Sequence, residues 1–155
     1  EGPLHEAILP GDGYFESKYK AIRNFKSLIL LLIHEASAAF GKNLVQEQEV
    51  LNNLADMIME VYIAESLTLR VEKMESLRGQ DPSGVYRAIV DSFIYDAADN
   101  IRKPATDGFM SLGSITREDT YRRWIETLAV VPGINIKEVR RKISDKLVAD
   151  NQYKW

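Results

Sequence analysis

The chain has 155 residues, of which 45% are hydrophobic and 28% charged, with five prolines and nine glycines, enough for one hydrophobic core and unlike a disordered polypeptide. A formal charge of -3 argues against broad electrostatic affinity for nucleic acid or anionic lipid, because that attraction needs a basic surface. The lack of cysteine excludes disulfides and thiolate metal sites, and a reducing, cytoplasmic setting is the expectation that follows.

The longest uninterrupted apolar run, residues 28–33, is far below the roughly 20 residues needed to cross a bilayer. It lies well inside the chain, so it does not read as a signal peptide. Residues 1–13 hold Pro3, Pro10, Gly11 and Gly13 with little periodicity and are expected to form a linker or lead-in loop. The first residue is Glu1 rather than methionine, which suggests a piece of a longer protein.

A first helix is expected over residues 14–40. Its stripe of Ile22, Phe25, Ile29, Leu32, Ala36 and Ala39 alternates spacings of three and four, and Gly41 supplies the stop. Asn43 with Gln46 three residues later predicts a capped start for a second helix over about 44–74, striped by Leu51, Leu54, Ile58, Val61 and Leu69 and interrupted by Glu65. Glu65 is either a stripe-edge residue reaching water or a paired carboxylate, with Arg70, Arg87 or Arg102 as its partner.

Residues 78–84 contain Gly79, Asp81-Pro82 and Gly84 and read as a connection whose Asp-Pro pair caps a third helix. That helix carries Val85, Ile89, Phe93, Ala97 and Ile101, and Pro104 is expected to kink or end it. Thr116 with Asp119 predicts a capping box for a fourth helix with Tyr121, Trp124, Ile125 and Leu128 on its apolar face, ended by Pro132 and Gly133. Asn135 with Glu138 opens a fifth, facing inward through Ile136, Val139, Ile143 and Leu147, after which the terminus frays unless Tyr153 or Trp155 is tied down. The expected architecture is all-α, an antiparallel up-down bundle of three long helices plus a helical C-terminal hairpin in a single domain over residues 14–155.

No complete catalytic constellation emerges. Helix two carries Glu47, Glu49, Asp56, Glu60, Glu65 and Glu72, and helix three Asp91, Asp96 and Asp99. A dimetal bundle site would also need Glu-x-x-His pairs, and neither His5 nor His34 has a glutamate three residues before it. His34-Glu35 resembles the start of a zinc-protease helix, but Ala38 stands where the second histidine is required. Neither a nucleophile elbow nor a phosphate-cradling glycine loop is present. No catalytic, cofactor-binding or metal residue is therefore assigned.

The mean charge hides an asymmetry, since from Thr116 onward nine basic residues meet six acidic ones. Arg117, Arg122, Arg123, Lys137, Arg140, Arg141, Lys142 and Lys146 are the candidate interaction surface, fitting an acidic patch on a partner domain or an ordinary solvated face. Interleaved Tyr121 and Trp124 also fit single-strand nucleic-acid binding, but both sit at core spacing.

The segments NLVQEQEVLNNLAD (43–56) and MIMEVYIAES (57–66) resemble the C-terminal helical domain of long-type acyl-CoA dehydrogenases, relatives of the very-long-chain enzymes. The ending VRRKISDKLVADN (139–151) looks like the tail of bacterial members of that group. The resemblance implies that an upstream catalytic part of the same chain holds FAD and oxidises the Cα–Cβ bond of a fatty acyl thioester, a glutamate there removing the α-proton. No glutamate here inherits that role. It further implies a structural domain that packs on the catalytic part and fixes a homo-oligomeric state, with no indicated nucleic-acid or membrane partner. The alternative is a free-standing helical interaction module.

Overall fold

The computed structural model describes residues 5–150, apart from the side chain of Ile115, so Tyr153 and Trp155 lie outside the described residues. Five helices follow one another: α1 (Tyr14–Phe40), α2 (Gln48–Arg78), α3 (Val85–Met110), α4 (Glu118–Leu128) and α5 (Ile136–Asp150). Two 3₁₀ turns, Gly41–Gln46 and Ile115–Arg117, precede α2 and α4, and no strand occurs among the described residues. The all-α expectation holds.

Cross-helix pairs fix the direction of each element. Tyr19 and Lys26 of α1 reach Glu72 and Glu65 of α2, at 2.5 and 2.6 Å, so α1 and α2 are antiparallel. Arg87 of α3 holds Glu75 of α2 through two bonds of 2.7 and 2.8 Å, and Asn100 reaches Glu60, so α3 turns back again. The interior between the three is filled by Phe25, Leu28, Leu32, Met57, Val90, Ile101 and Phe109.

The first helix lies where its stripe predicts, although Ala39 is exposed. The second differs in start, end and face. Residues 41–46 wind as a 3₁₀ turn, no side chain caps α2, and the helix runs four residues beyond the expected end to Arg78. Its inward face is Val50, Leu54, Met57, Val61, Ala64, Thr68 and Val71, an unbroken alternation of four and three. Leu51, Ile58 and Leu69 stand exposed instead. The two small members of that face, Ala64 and Thr68, are fully buried. Thr68 satisfies its hydroxyl by donating to Ala64 O at 2.7 Å.

Glu65 sits at the stripe edge and pairs with Lys26, not with any of the three arginines expected. Arg87 is engaged by Glu75, and Arg102 by Asp99 and the Ala129 carbonyl.

Pro104 does not end α3, which continues to Met110. The segment beyond it is deeply enclosed, with Pro104, Ala105, Gly108 and Phe109 all buried, so packing outweighs the roughly 3 kcal/mol helix penalty of proline. Gly108 marks the tightest approach, since a Cβ there would stand 2.7 Å from Leu32 Cδ2.

The lead-in is fastened to α1. Asn24, almost fully buried, accepts the Glu6 amide (2.8 Å) and donates to the Glu6 carbonyl (2.9 Å). Arg23 grips the Glu6 carboxylate through two bonds of 2.6 and 2.7 Å. Asp12 accepts from the Leu9 amide and from Lys20, and these donors hold its carboxyl below the usual aspartate range, Lys20 contributing most.

Candidate interaction surface

The start of α3 is built from the connection before it. Asp81 accepts the Ser83 hydroxyl and the Val85 amide, the latter at 3.1 Å, so it satisfies the first amide of α3 from the connection, although the N-cap position itself is Gly84 rather than the expected Asp-Pro pair. Burial raises the Asp81 carboxyl, but the Ser83 hydroxyl and the two backbone amides outweigh it and leave the group lowered. Gly84 takes a left-handed φ of 64°, which brings the chain under α5. A Cβ on Gly84 would lie 3.4 Å from Lys142 Nζ.

α4 is positioned differently. Thr116 and Asp119 do not form the expected capping box, as no side chain caps α4 and Thr116 Oγ1 meets Ser114 Oγ at 3.4 Å. The preceding 3₁₀ turn sets Arg117 against α1 instead. There the buried Glu35 accepts from Arg117 and from the Tyr121 hydroxyl, the latter at 2.9 Å. Burial first, then the bond to Glu35, raises the Tyr121 hydroxyl above its ordinary value. Tyr121 stacks on Phe109 with ring centroids 4.8 Å apart, and the Arg117 guanidinium lies 5.4 Å from the Tyr121 ring and 5.7 Å from that of Trp124. These aromatics fill the joint between α1, α3 and α4 rather than form an open stacking platform. The sequence names Glu35 only beside His34 in the incomplete zinc-protease pattern; its pairing with Arg117 and Tyr121 was missed, and its spacing in the inward region of α1 was the available signal.

The eight cations do not converge on one surface. Arg117, Arg122 and Arg123 accompany α4 near the C-terminal end of α3, whereas Lys137, Arg140, Arg141, Lys142 and Lys146 lie on α5, which runs toward the N-terminal end of α3. α4 and α5 make their main contacts with α3, joined by an extended connection, so the C-terminal hairpin is an open one. Several charges are answered internally: Arg122 by Glu118, Arg140 by Asp96 and Lys146 by Asp150. Lys137 comes within 4.0 Å of Glu138. Arg141, Lys142 and Lys146 border an open cleft of about 820 Å³ between α5 and the start of α3, but Asp91, Glu138 and Asp145 border it too. This mixed lining suits solvated ion pairs more than a bound polyanion.

On the other side of α5, Leu67, Val71, Met74, Tyr86, Ile89, Ile143 and Leu147 line an apolar groove of about 470 Å³, with Arg70 as its charged residue. The larger opening sets carboxylates beside its cations, and the smaller has Arg70 as its charged lining residue. Among the described residues no three histidine, aspartate or glutamate side chains gather to hold a metal ion.

Comparison with known proteins places this geometry. The family described as "Acyl-CoA dehydrogenase, C-terminal domain" matches residues 24–129, from the third turn of α1 to just past α4. A probable acyl-CoA dehydrogenase of Bacillus subtilis (strain 168) is 28% identical over 133 residues, covering 86% of this chain and 22% of that protein. A solved acyl-CoA dehydrogenase complexed with FAD, from Bacillus anthracis, superposes with a TM-score of 0.88 at 24% identity over 96% of this chain and 25% of that one, a likeness of fold. The chain thus spans about a quarter of the length of these relatives. With most of α1 and all of α2, α3 and α4 inside the matched region, the chain belongs to the acyl-CoA dehydrogenase C-terminal domain family.

Proposed function

We propose that the chain is the C-terminal structural module of a long-type, FAD-dependent acyl-CoA dehydrogenase of the cytoplasm, and that it stabilises the catalytic part and sets a homo-oligomeric state. The observation that carries this reading is the family match across α1 to α4. The relatives extend over roughly four times its length, which leaves ample chain for a catalytic portion. In this reading FAD and the acyl thioester are held by that portion, where the flavin accepts the electrons of Cα–Cβ oxidation. The residues of the module act by packing. Their contribution is to hold the lead-in on α1 and to present a rigid three-helix surface.

The test is a pair of full-length and truncated proteins, the second lacking residues 14–155. Loss of the module is expected to lower the melting temperature and to release flavin on gel filtration, with a smaller hydrodynamic assembly. Unchanged flavin content, melting temperature and assembly size would refute the reading.

A further inference from the structure

α2 carries two regular stripes, and only one of them is buried. The buried stripe faces α1 and α3. The other, Asp56, Met59, Ile63, Ser66 and Arg70, alternates spacings of three and four just as regularly, and every member is exposed. It points about 150° round the helix from the buried stripe. An average step of 3.5 residues is the period with which two helices pack along their length. The centre of this outer ridge is apolar, with Met59 55% and Ile63 46% exposed and Tyr62 exposed beside them. Neighbouring large apolar side chains left open on one ridge mark a contact region rather than a solvated one.

The charges of α2 sort by end. From Gln48 to Leu69 the helix carries Glu49, Asp56, Glu60 and Glu65 and no cation, and its cations Arg70, Lys73 and Arg78 all follow. Glu60 and Glu65 are held by Asn100 and Lys26, and Glu72 and Glu75 by Tyr19 and Arg87. Among the described residues no ion pair or side-chain hydrogen bond engages Asp56 or Arg70. The two stand one on each side of Ile63, seven residues away in either direction. That places them about 21 Å apart along the axis, too far to meet within one chain.

These features suit one occupant. A second copy laid antiparallel along the ridge, with a two-fold axis at Ile63, sets each Asp56 level with Arg70 of the other copy and each Met59 level with its small Ser66. In a two-fold contact residue i meets j and j meets i, so both ion pairs form at once and Ile63 meets its own counterpart. A parallel copy would set Asp56 on Asp56 and Arg70 on Arg70, and like charges brought face to face repel. The acidic stretch from Gln48 to Leu69 makes the ridge a poor match for an anionic membrane. The lead-in is bonded to α1, at Asn24, and among the described residues it leaves the ridge uncovered.

We infer that the outer ridge of α2 is a self-complementary interface, on which two copies of the chain pair antiparallel about Ile63 and close an Asp56–Arg70 ion pair on either side of the axis. This gives the homo-oligomeric state of the proposed function a surface and a geometry, and it rests on that part of the reading.

The test uses the full-length protein. Asp56→Arg and Arg70→Asp each set like charges against one another across the interface, and each is expected to weaken association by about tenfold or more in sedimentation equilibrium. Both positions are exposed, so the fold should tolerate either change, with circular dichroism as the check. The double variant Asp56→Arg/Arg70→Asp restores opposite charges and is expected to recover the association of the parent. The two residues cannot meet within one chain, so that recovery has to come from a second copy. Full association of either single variant, or a double variant as weak as the singles, would overturn the inference. A short bismaleimide reads the geometry by peptide mass mapping. Ile63→Cys is expected to link position 63 to position 63 of a second copy, whereas Leu77→Cys, whose counterparts lie about 42 Å apart in this arrangement, gives no such link. Equal linking at both positions, a link from 63 to an upstream segment at monomer mass, or none at 63 would sink it as well. The truncated protein separates the two ideas. A smaller assembly on truncation with no link at 63 leaves the module reading standing and the ridge wrong, whereas a link at 63 with flavin content and melting temperature unchanged on truncation leaves the ridge standing and the stabilising role wrong.

Discussion

α4 and α5 are the same kind of helix in the sequence and reach different depths in the fold. Each is short, opened by a polar residue and striped by four apolar side chains. α4 buries Tyr121, Ile125 and Leu128, and Arg102 of α3 closes its end by donating to the Ala129 carbonyl at 2.8 Å. α5 buries none of its residues, and openings of about 820 and 470 Å³ run along its two sides. Periodicity decides which face turns inward, while the neighbours decide how far. α4 lies where α1 and α3 both reach it, whereas α5 rests chiefly on α3. An element held on one side opens at lower free energy than one held on two.

The comparison breaks most sharply at the joint beneath α4. Phe109 is fully buried and stacks on Tyr121, so Phe109→Ala is expected to cost about 3–5 kcal/mol, read as a lower midpoint in urea unfolding of the protein. Glu35→Ala comes next. It strands the Tyr121 hydroxyl and the Arg117 guanidinium, and a loss of about 1–3 kcal/mol is expected by the same measurement. If Leu147→Ala on α5 matched the loss from Phe109→Ala, the distinction between the two helices would fail. Leu147 is only half-buried, and about 1 kcal/mol is expected there.

How much of this contrast could be read in advance depends on the element. The bounds of α1 and the Asn135 start of α5 followed from local chemistry, and the structure has Asn135 Oδ1 accepting the Glu138 amide at 3.3 Å. The buried face of α2 followed only in part, because Leu54 and Val61 of the expected stripe are buried while Leu51, Ile58 and Leu69 face outward. Ala64 and Thr68 are buried because of what approaches them, and that information lies on other helices. The same holds for α3, where Pro104 argues locally for a stop and Leu32, from α1, encloses the turn that follows. The eight cations were legible as a composition, but not as two separated groups with most of their charges already answered.

Alkali sharpens the comparison further. Burial and Glu35 raise the Tyr121 hydroxyl, so the stability it contributes is complete below the unfolded tyrosine value of about 10 and is lost as pH rises through the higher folded value. Tyr14 and Tyr19 on α1 are raised as well, burial being the largest cause for each, and they add to the same alkaline decline. Tyr121→Phe keeps the ring stack and removes one titrating group. The variant is expected to lose about 1 kcal/mol near neutrality and to show a shallower fall in melting temperature above pH 10 than the parent. A parallel fall would show that the Tyr121 hydroxyl does not anchor α4.

The smallest effect belongs to α5. Arg140 reaches Asp96 of α3 at 2.8 Å, with both side chains more exposed than not or nearly so, at 57% and 43%. Exposed pairs of this sort contribute about 0–1 kcal/mol and are screened by salt. Asp96→Asn is nearly isosteric, so it removes the charge with little change in packing. Amide exchange in α5 is then expected to quicken by up to about fivefold at low salt, the upper end of that range in energy, and by much less in 0.5 M sodium chloride. The Tyr121 joint offers the internal control, because α4 amides should keep their protection in both conditions. An α5 that exchanged as slowly as α4, whatever the salt, would mean that one helix face on α3 is enough to hold it and that the open grooves beside it carry no energetic consequence.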